Sequence, residues 1–251
     1  RLAKVGFGGK SRLLQSVFLS IFILLYIIFS ICFSGYSSER VLGIDVSHYQ
    51  GNINWNSVYN DGYRFAFIKA SGGDEREPKI IDPNFESNMT NARAAGIKAG
   101  AYHFAYPDYN EADSEAQHFL DVAGEYITEG YLKPVLDIER GNNLGSEALS
   151  DWIEEWMSIV ESNTGVEPII YVNSNYANNY LKTRINKYDV WIAHWKCSTS
   201  GAPDDGIWSS WDFWQYYGPS YCGDNNVSGI NGNVDLDVFN GSMVDLEDYV
   251  I

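Results

Sequence analysis

The sequence predicts an α/β fold in which eight mostly parallel strands close into a barrel covered by helices. Two observations carry that expectation. Eight short apolar runs recur along the chain, and amphipathic helical stretches separate the earlier ones. Eight such runs favour closure over an open doubly wound sheet. No G-x-G-x-x-G follows the first run, and no Walker A pattern occurs.

The first run, Val41–Val46, leads into Ser47. Arg64–Ala70 follows with Phe65, Phe67 and Ile68, and breaks at Ser71-Gly72-Gly73. Pro83–Ala95 reads as a helix closed by Gly96, and Ile97–Phe104 as the next strand. Glu111–Ile127 has helical spacing through Ala112, Ala116, Phe119, Leu120 and Ala123, ahead of a strand at Pro134–Ile138. The clearest helix is Ser146–Ser162, where Leu149, Trp152, Ile153, Trp156, Ile159 and Val160 form one apolar stripe. Gly165 ends it, and Pro168–Val172 is extended again. Asp189–Ala193, Trp211–Tyr217 and Val234–Val238 complete the eight, with little room for full helices between them. Gly218–Gly232 reads as an excursion or a hairpin turn.

Residues 1–39 are set apart. Arg1, Lys4, Lys10 and Arg12 precede a run from Val17 to Phe33 of apolar and small polar residues, the pattern of an export signal or a short signal anchor. Seventeen residues is near the lower limit for spanning a bilayer, about 17–25. Cleavage and retention as a membrane tether therefore both stay open. Residues 40–251 are expected to form a single catalytic-size domain.

The chain carries a formal net charge of −16 at pH 7, and four of its 17 basic residues lie in the leader. So acidic a domain excludes nucleic acid as a partner on electrostatic grounds. Outside the leader only Cys197 and Cys222 remain, which in an exported protein points to a disulfide. Asn88, Asn226 and Asn240 each begin an N-x-Ser/Thr sequon and are candidate glycosylation sites. The four histidines show no metal-binding spacing and no cysteine cluster exists, so neither a metal nor a cofactor is expected. G-x-S-x-G is missing as well, against a serine hydrolase.

The chemistry is carried by carboxylates at strand ends. Asp45 ends the first strand, Asp137 and Glu139 flank Ile138 at the end of the fourth, and Asp235 and Asp237 lie in the last. Barrel active sites assemble at the C-terminal rim, and residues i and i+2 on a strand share a face. Glycosidic cleavage needs one protonated carboxyl for the leaving oxygen and one charged group for the positive anomeric centre; crowding supplies the protonated one. A solvated turn or a calcium ligand set would also accommodate Asp137 and Glu139 on pattern alone. Aromatic residues are abundant beside the strand ends, among them Tyr102, Phe104, Tyr171, Trp191, Trp195, Trp214 and Tyr216, and sugar faces stack on such rings.

Taken together, the motifs Gly43-Ile44-Asp45-Val46-Ser47-His48-Tyr49-Gln50, Phe67-Ile68-Lys69-Ala70, Gly100-Ala101-Tyr102-His103-Phe104, Leu136-Asp137-Ile138-Glu139, Ile170-Tyr171, Trp214-Gln215-Tyr216 and Val234-Asp235-Leu236-Asp237-Val238-Phe239 resemble the glycoside hydrolase family 25 lysozymes, the Chalaropsis-type muramidases. The resemblance covers nearly all of 41–239. It implies a modified TIM-type barrel with eight strands and about five helices, and N-acetylmuramidase action on bacterial peptidoglycan. It also implies Glu139 as acid/base, with Asp137, Asp45 and Asp235 as the other active-site carboxylates. Tyr102, Tyr171, Trp191, Trp214 and Tyr216 map onto or near the substrate groove, and Asp237 is read as structural. No obligate protein partner is expected. With the leader and sequons, the resemblance points to a secreted enzyme or one of a lysosomal or phagocytic compartment. A non-catalytic sugar-binding barrel and a chitin hydrolase are the competing readings; the intact acidic set disfavours the first.

Overall fold

The computed structural model describes residues 40–73 and 79–251, and the leader lies outside the described residues. Nine strands form one sheet: β1 (Leu42–Val46), β2 (Phe65–Gly72), β3 (Ile80–Ile81), β4 (Lys98–Phe104), β5 (Val135–Ile138), β6 (Ile169–Asn173), β7 (Val190–Ala193), β8 (Phe213–Tyr217) and β9 (Asp235–Phe239). Their order is β1-β9-β8-β7-β6-β5-β4-β2, and pairing of β1 with β2 shuts the ring. The eight runs read from the sequence are these eight barrel strands. The two-residue β3 hangs antiparallel on the end of β2 and is too short to show a period.

The barrel is mostly parallel, as expected, with one exception, and the helix count differs from expectation. The last barrel strand, β9, is antiparallel to both β1 and β8, whereas its neighbours all run parallel. Asp235 therefore reaches the rim from the start of its strand, and Asp237 lies two residues deeper. The described residues also hold seven α-helices rather than about five: α1 (Trp55–Asn60), α2 (Phe85–Ala94), α3 (Ala112–Ala123), α4 (Ser146–Thr164), α5 (Ser174–Asn179), α6 (Pro219–Cys222) and α7 (Met243–Leu246). Only α2, α3 and α4 are long enough to print an apolar stripe on the sequence. α4 begins after Gly145 and ends at Gly165, whose left-handed φ of 75° turns the chain off the helix. Its buried face, Leu149, Trp152, Ile153, Trp156, Met157 and Val160, is the predicted stripe with Met157 in place of Ile159.

Strand alternation sorts side chains into two compartments. On β2, Ala66, Ile68 and Ala70 face the helices, while Phe65 and Phe67 point into the barrel. Inside, Phe67 stacks on Trp191 at 4.5 Å and meets Phe213 edge-on at 5.1 Å, and Tyr171 crosses Trp191 at 4.4 Å. Burying a ring of this size contributes about 2–3 kcal/mol. Gly43 makes the plug possible, because a Cβ there would stand 2.2 Å from the Phe65 ring. The plug fills the lower barrel and leaves its upper rim to polar groups. A register shift between Lys69 and Ser71 then sends Lys69 inward and Ser71 outward, within two residues of one strand.

Candidate active site

All eight barrel strands contribute side chains to one groove at the rim. Its wall and floor include Asp45, Lys69, Tyr102, Asp137, Glu139, Tyr171, Trp191, Gln215 and Asp235. Asp45 and Asp235 are direct partners across the β1–β9 ladder, so antiparallel pairing sets these two carboxylates side by side. Asp137 is the penultimate residue of β5 and is 5% exposed. Glu139 follows two residues later, on the same side of the chain but open to solvent.

Charge crowding shapes the acids. Burial, and then Asp235 and Asp237, raise the Asp45 carboxyl well above its usual range, against a lowering hydrogen bond from Gln215. Asp137 is raised by burial and then by Glu139, with Lys69 opposing. Protein mass around the groove also raises Glu139 despite its open face, while Lys69, Tyr171 and Arg140 pull it down. Asp235 is pushed up to about 6, by burial first and by Glu139 second. One carboxyl in such a set holds its proton near neutrality, which supplies an acid, and another stays charged.

Asp237 is the deepest of these acids, fully buried, and accepts a hydrogen bond from Trp191 Nε1 at 2.9 Å. Its Oδ2 has no hydrogen-bond partner, and burial, then Asp235, raise its carboxyl well above the usual range, with Trp191 opposing. Asp137 Oδ1 is likewise buried without a hydrogen-bond partner, on a residue that lines the groove.

Gln215 is the residue that motif reading passed over. Its Nε2 donates to Asp45 Oδ2 at 2.8 Å, and its Oε1 accepts from Trp195 Nε1 at 2.9 Å and Tyr171 Oη at 3.0 Å. Alternation along β8 was the available signal, since Gln215 stands two residues from inward-facing Phe213. The same alternation corrects Trp214 and Tyr216. Trp214 is fully buried on the helix side, its indole donating to the His194 carbonyl, and Tyr216 packs in the same outer layer. Neither lines the groove. Tyr102, Tyr171 and Trp191 do. Lys69, also missed as a site residue, lies 4.7 Å over the Phe104 ring at the groove wall.

Elsewhere, Cys197 and Cys222 form a disulfide. Asn88 is 4% exposed inside α2 and accepts from Trp55 Nε1, so the folded helix has no room for a glycan there, correcting that sequon. Asn226 is exposed, and so is Asn240, although its Nδ2 donates to the Trp211 carbonyl. Among the described residues no cluster of His, Cys, Asp and Glu is arranged to hold a metal ion, and no helix is long and apolar enough to cross a membrane.

Comparisons with known proteins agree with this geometry. The sequence profile of "Glycosyl hydrolases family 25" matches residues 44–224. Lysozyme M1 of Streptomyces globisporus is 35% identical over 215 residues, 82% of this chain and 69% of the relative. The N,O-diacetylmuramidase of Chalaropsis sp is 29% identical, across 78% of this chain and 96% of the relative. Among solved structures, the bacterial lysozyme from Streptomyces coelicolor superposes with a TM-score of 0.71 at 32% identity, covering 85% of this chain and 98% of that one. A closed barrel with its acids gathered at one rim, matched by profile, sequence and structure alike, makes this chain a member of glycosyl hydrolase family 25.

Proposed function

We propose that the protein is a lysozyme-type N-acetylmuramidase, hydrolysing the β-1,4 bond from N-acetylmuramic acid to N-acetylglucosamine in bacterial peptidoglycan. The observation that carries this reading is the groove itself: four carboxyls with raised proton affinity meet at one rim, in a family whose relatives are named lysozyme and N,O-diacetylmuramidase.

In this reading Glu139, the acid most open to the groove, protonates the leaving oxygen. The 2-acetamido group of the substrate then attacks the anomeric carbon, with its N–H held by the Asp137 carboxylate that lines the groove. Asp45, oriented by Gln215, and Asp235 hold the sugar and tune charge. Water opens the cyclic intermediate as Glu139 takes back a proton. A direct carboxylate nucleophile is the competing route. The anomer first released, read by NMR, separates both of these from single-step inversion by water.

Digestion of defined peptidoglycan, with fragments read by mass spectrometry and Glu139→Gln alongside, tests the proposal. Fragments ending in reducing N-acetylmuramic acid, absent with the variant, are the expected result. Reducing N-acetylglucosamine ends would overturn the bond assignment. Export through the leader at 1–39, as a cleaved signal or a retained tether, and glycosylation at exposed Asn226 complete the reading. Both fit an enzyme whose substrate lies outside the cytoplasm.

A further inference from the structure

The acid groove does not end at Glu139. Beyond it lies a second depression of about 400 Å³, lined by Asn173, Asn175, His194, Trp195 and Tyr221 as well as Glu139, in the size range of small-ligand sites. Both depressions share Glu139, Tyr171 and Trp195, so they are two lobes of one cleft with the acid between them. One lobe holds three aspartates. The other has no charged side chain besides Glu139.

This second lobe is built, not incidental. Trp195 is fixed at its indole N–H by Gln215, the same amide that holds Asp45. Its ring lies directly on Gly218, where a Cβ would stand 2.4 Å away. Tyr221 is 71% exposed yet stands 6.3 Å from the Trp195 ring, on the single turn α6. The Cys197–Cys222 disulfide ties that turn to the segment just after Trp195. The disulfide adds to the Tyr217 hydroxyl, which donates to the Cys222 carbonyl at 3.3 Å, in holding the turn beside the tryptophan. His194 Nδ1 accepts from the Asp204 backbone N–H, which leaves Nε2–H as a donor on the neutral ring.

We propose that this lobe is the leaving-group arm of the cleft and binds N-acetylglucosamine between a disulfide-clipped Trp195–Tyr221 wall and the polar side chains of Asn173, Asn175 and His194. The assignment rests on the muramidase reading above. The sugar that becomes positive at its anomeric carbon belongs among the aspartates. The acid stands at the boundary, so the departing sugar belongs on its far side. In the bond cut, that sugar is N-acetylglucosamine, which carries no lactyl acid or peptide, and its lobe is correspondingly uncharged. Aromatic faces and amide side chains are the chemistry that an acetamido sugar recognises.

The test follows the Trp195 indole N–H resonance by NMR, assigned by its loss in Trp195→Phe. The β-1,4 disaccharide of N-acetylglucosamine is titrated against N-acetylmuramic acid. The disaccharide is expected to shift the Trp195 signal, and Tyr221→Ala to weaken its binding by roughly tenfold. Cys197→Ser combined with Cys222→Ser should weaken it in the same sense. Because Tyr221 is exposed, its variant keeps the test alive if the disulfide variant fails to fold. Disaccharide binding that leaves Trp195 unmoved, no binding at all, or an equal shift with N-acetylmuramic acid would each overturn the arm. Peptidoglycan cleavage without the shift removes the arm and spares the muramidase; the shift without cleavage removes the muramidase and with it the leaving-group assignment.

Discussion

Two places in this barrel bury carboxyls equally well and treat them in opposite ways. Glu115, on α3, is wholly inaccessible. It accepts from His103 Nε2 at 2.9 Å, from Asn110 Nδ2 at 2.7 Å and from the Tyr106 backbone N–H with both oxygens. His103 in turn bonds Ser71 through Nδ1 at 2.8 Å and stacks on Trp156. Both oxygens of Glu115 and both ring nitrogens of His103 have partners of the right kind. In the groove, Asp45, Asp137 and Asp237 are as deeply set, but they face one another, and two of their oxygens lack donors. Burial is common to both. The partner inventory separates architecture from chemistry, because a satisfied carboxylate stabilises a fold while an unsatisfied one stores affinity for a proton or a substrate.

Glu139→Gln probes the groove side most sharply. Turnover should fall by roughly a thousandfold, about 4 kcal/mol of barrier, with thermal stability equal to or above wild type. A variant that keeps wild-type kcat would end the acid assignment. The satisfied cluster should behave in reverse. His103→Ala leaves Glu115 short of a donor in the interior and should cost about 3 kcal/mol in urea unfolding, while the pH–rate profile of the folded fraction stays put. Movement of that profile would show the two clusters to be coupled.

Asp235→Asn tests stored proton affinity directly. With its carboxyl pushed up to about 6 from an unfolded value near 3.8, the folded state keeps a proton that the unfolded chain has released. That contribution is fully present below the unfolded value and is lost as pH rises through about 6. The variant should therefore unfold at higher urea than wild type at pH 7, by about 2 kcal/mol, and flatten the stability slope between those values. An unchanged slope would refute burial beside Glu139 as the source of the raised proton affinity. Trp191→Phe is the gentlest cut. Loss of the indole N–H that opposes burial at Asp237 should raise that carboxyl further, shift one limb of the pH–rate profile upward, and cost about 1 kcal/mol of stability.

Much of this was legible in one dimension. The eight barrel strands print themselves as apolar runs because each is covered on both faces. α4 prints its stripe because one face meets the barrel. Asp137 and Glu139 could be paired from i and i+2 spacing alone. Trp214 and Tyr216 were placed on the wrong face because a motif names neighbours without saying which of them point inward; counting from Phe213 would have chosen Gln215. Asn88 kept its sequon reading because burial is not written in N-x-Thr.

The sequence by itself determined the eight barrel strands, the long helices, the strand-end positions of the candidate acids and the cysteine pair, since periodicity, strand-end position and residue chemistry are local. The tertiary structure alone decided that β9 runs antiparallel and sets Asp235 against Asp45, that Asp237 is buried with one oxygen unpaired, and that a disulfide stations Tyr221 beside Trp195. Those outcomes depend on which distant segments touch, and no spacing along the chain encodes a contact that closure of the barrel creates.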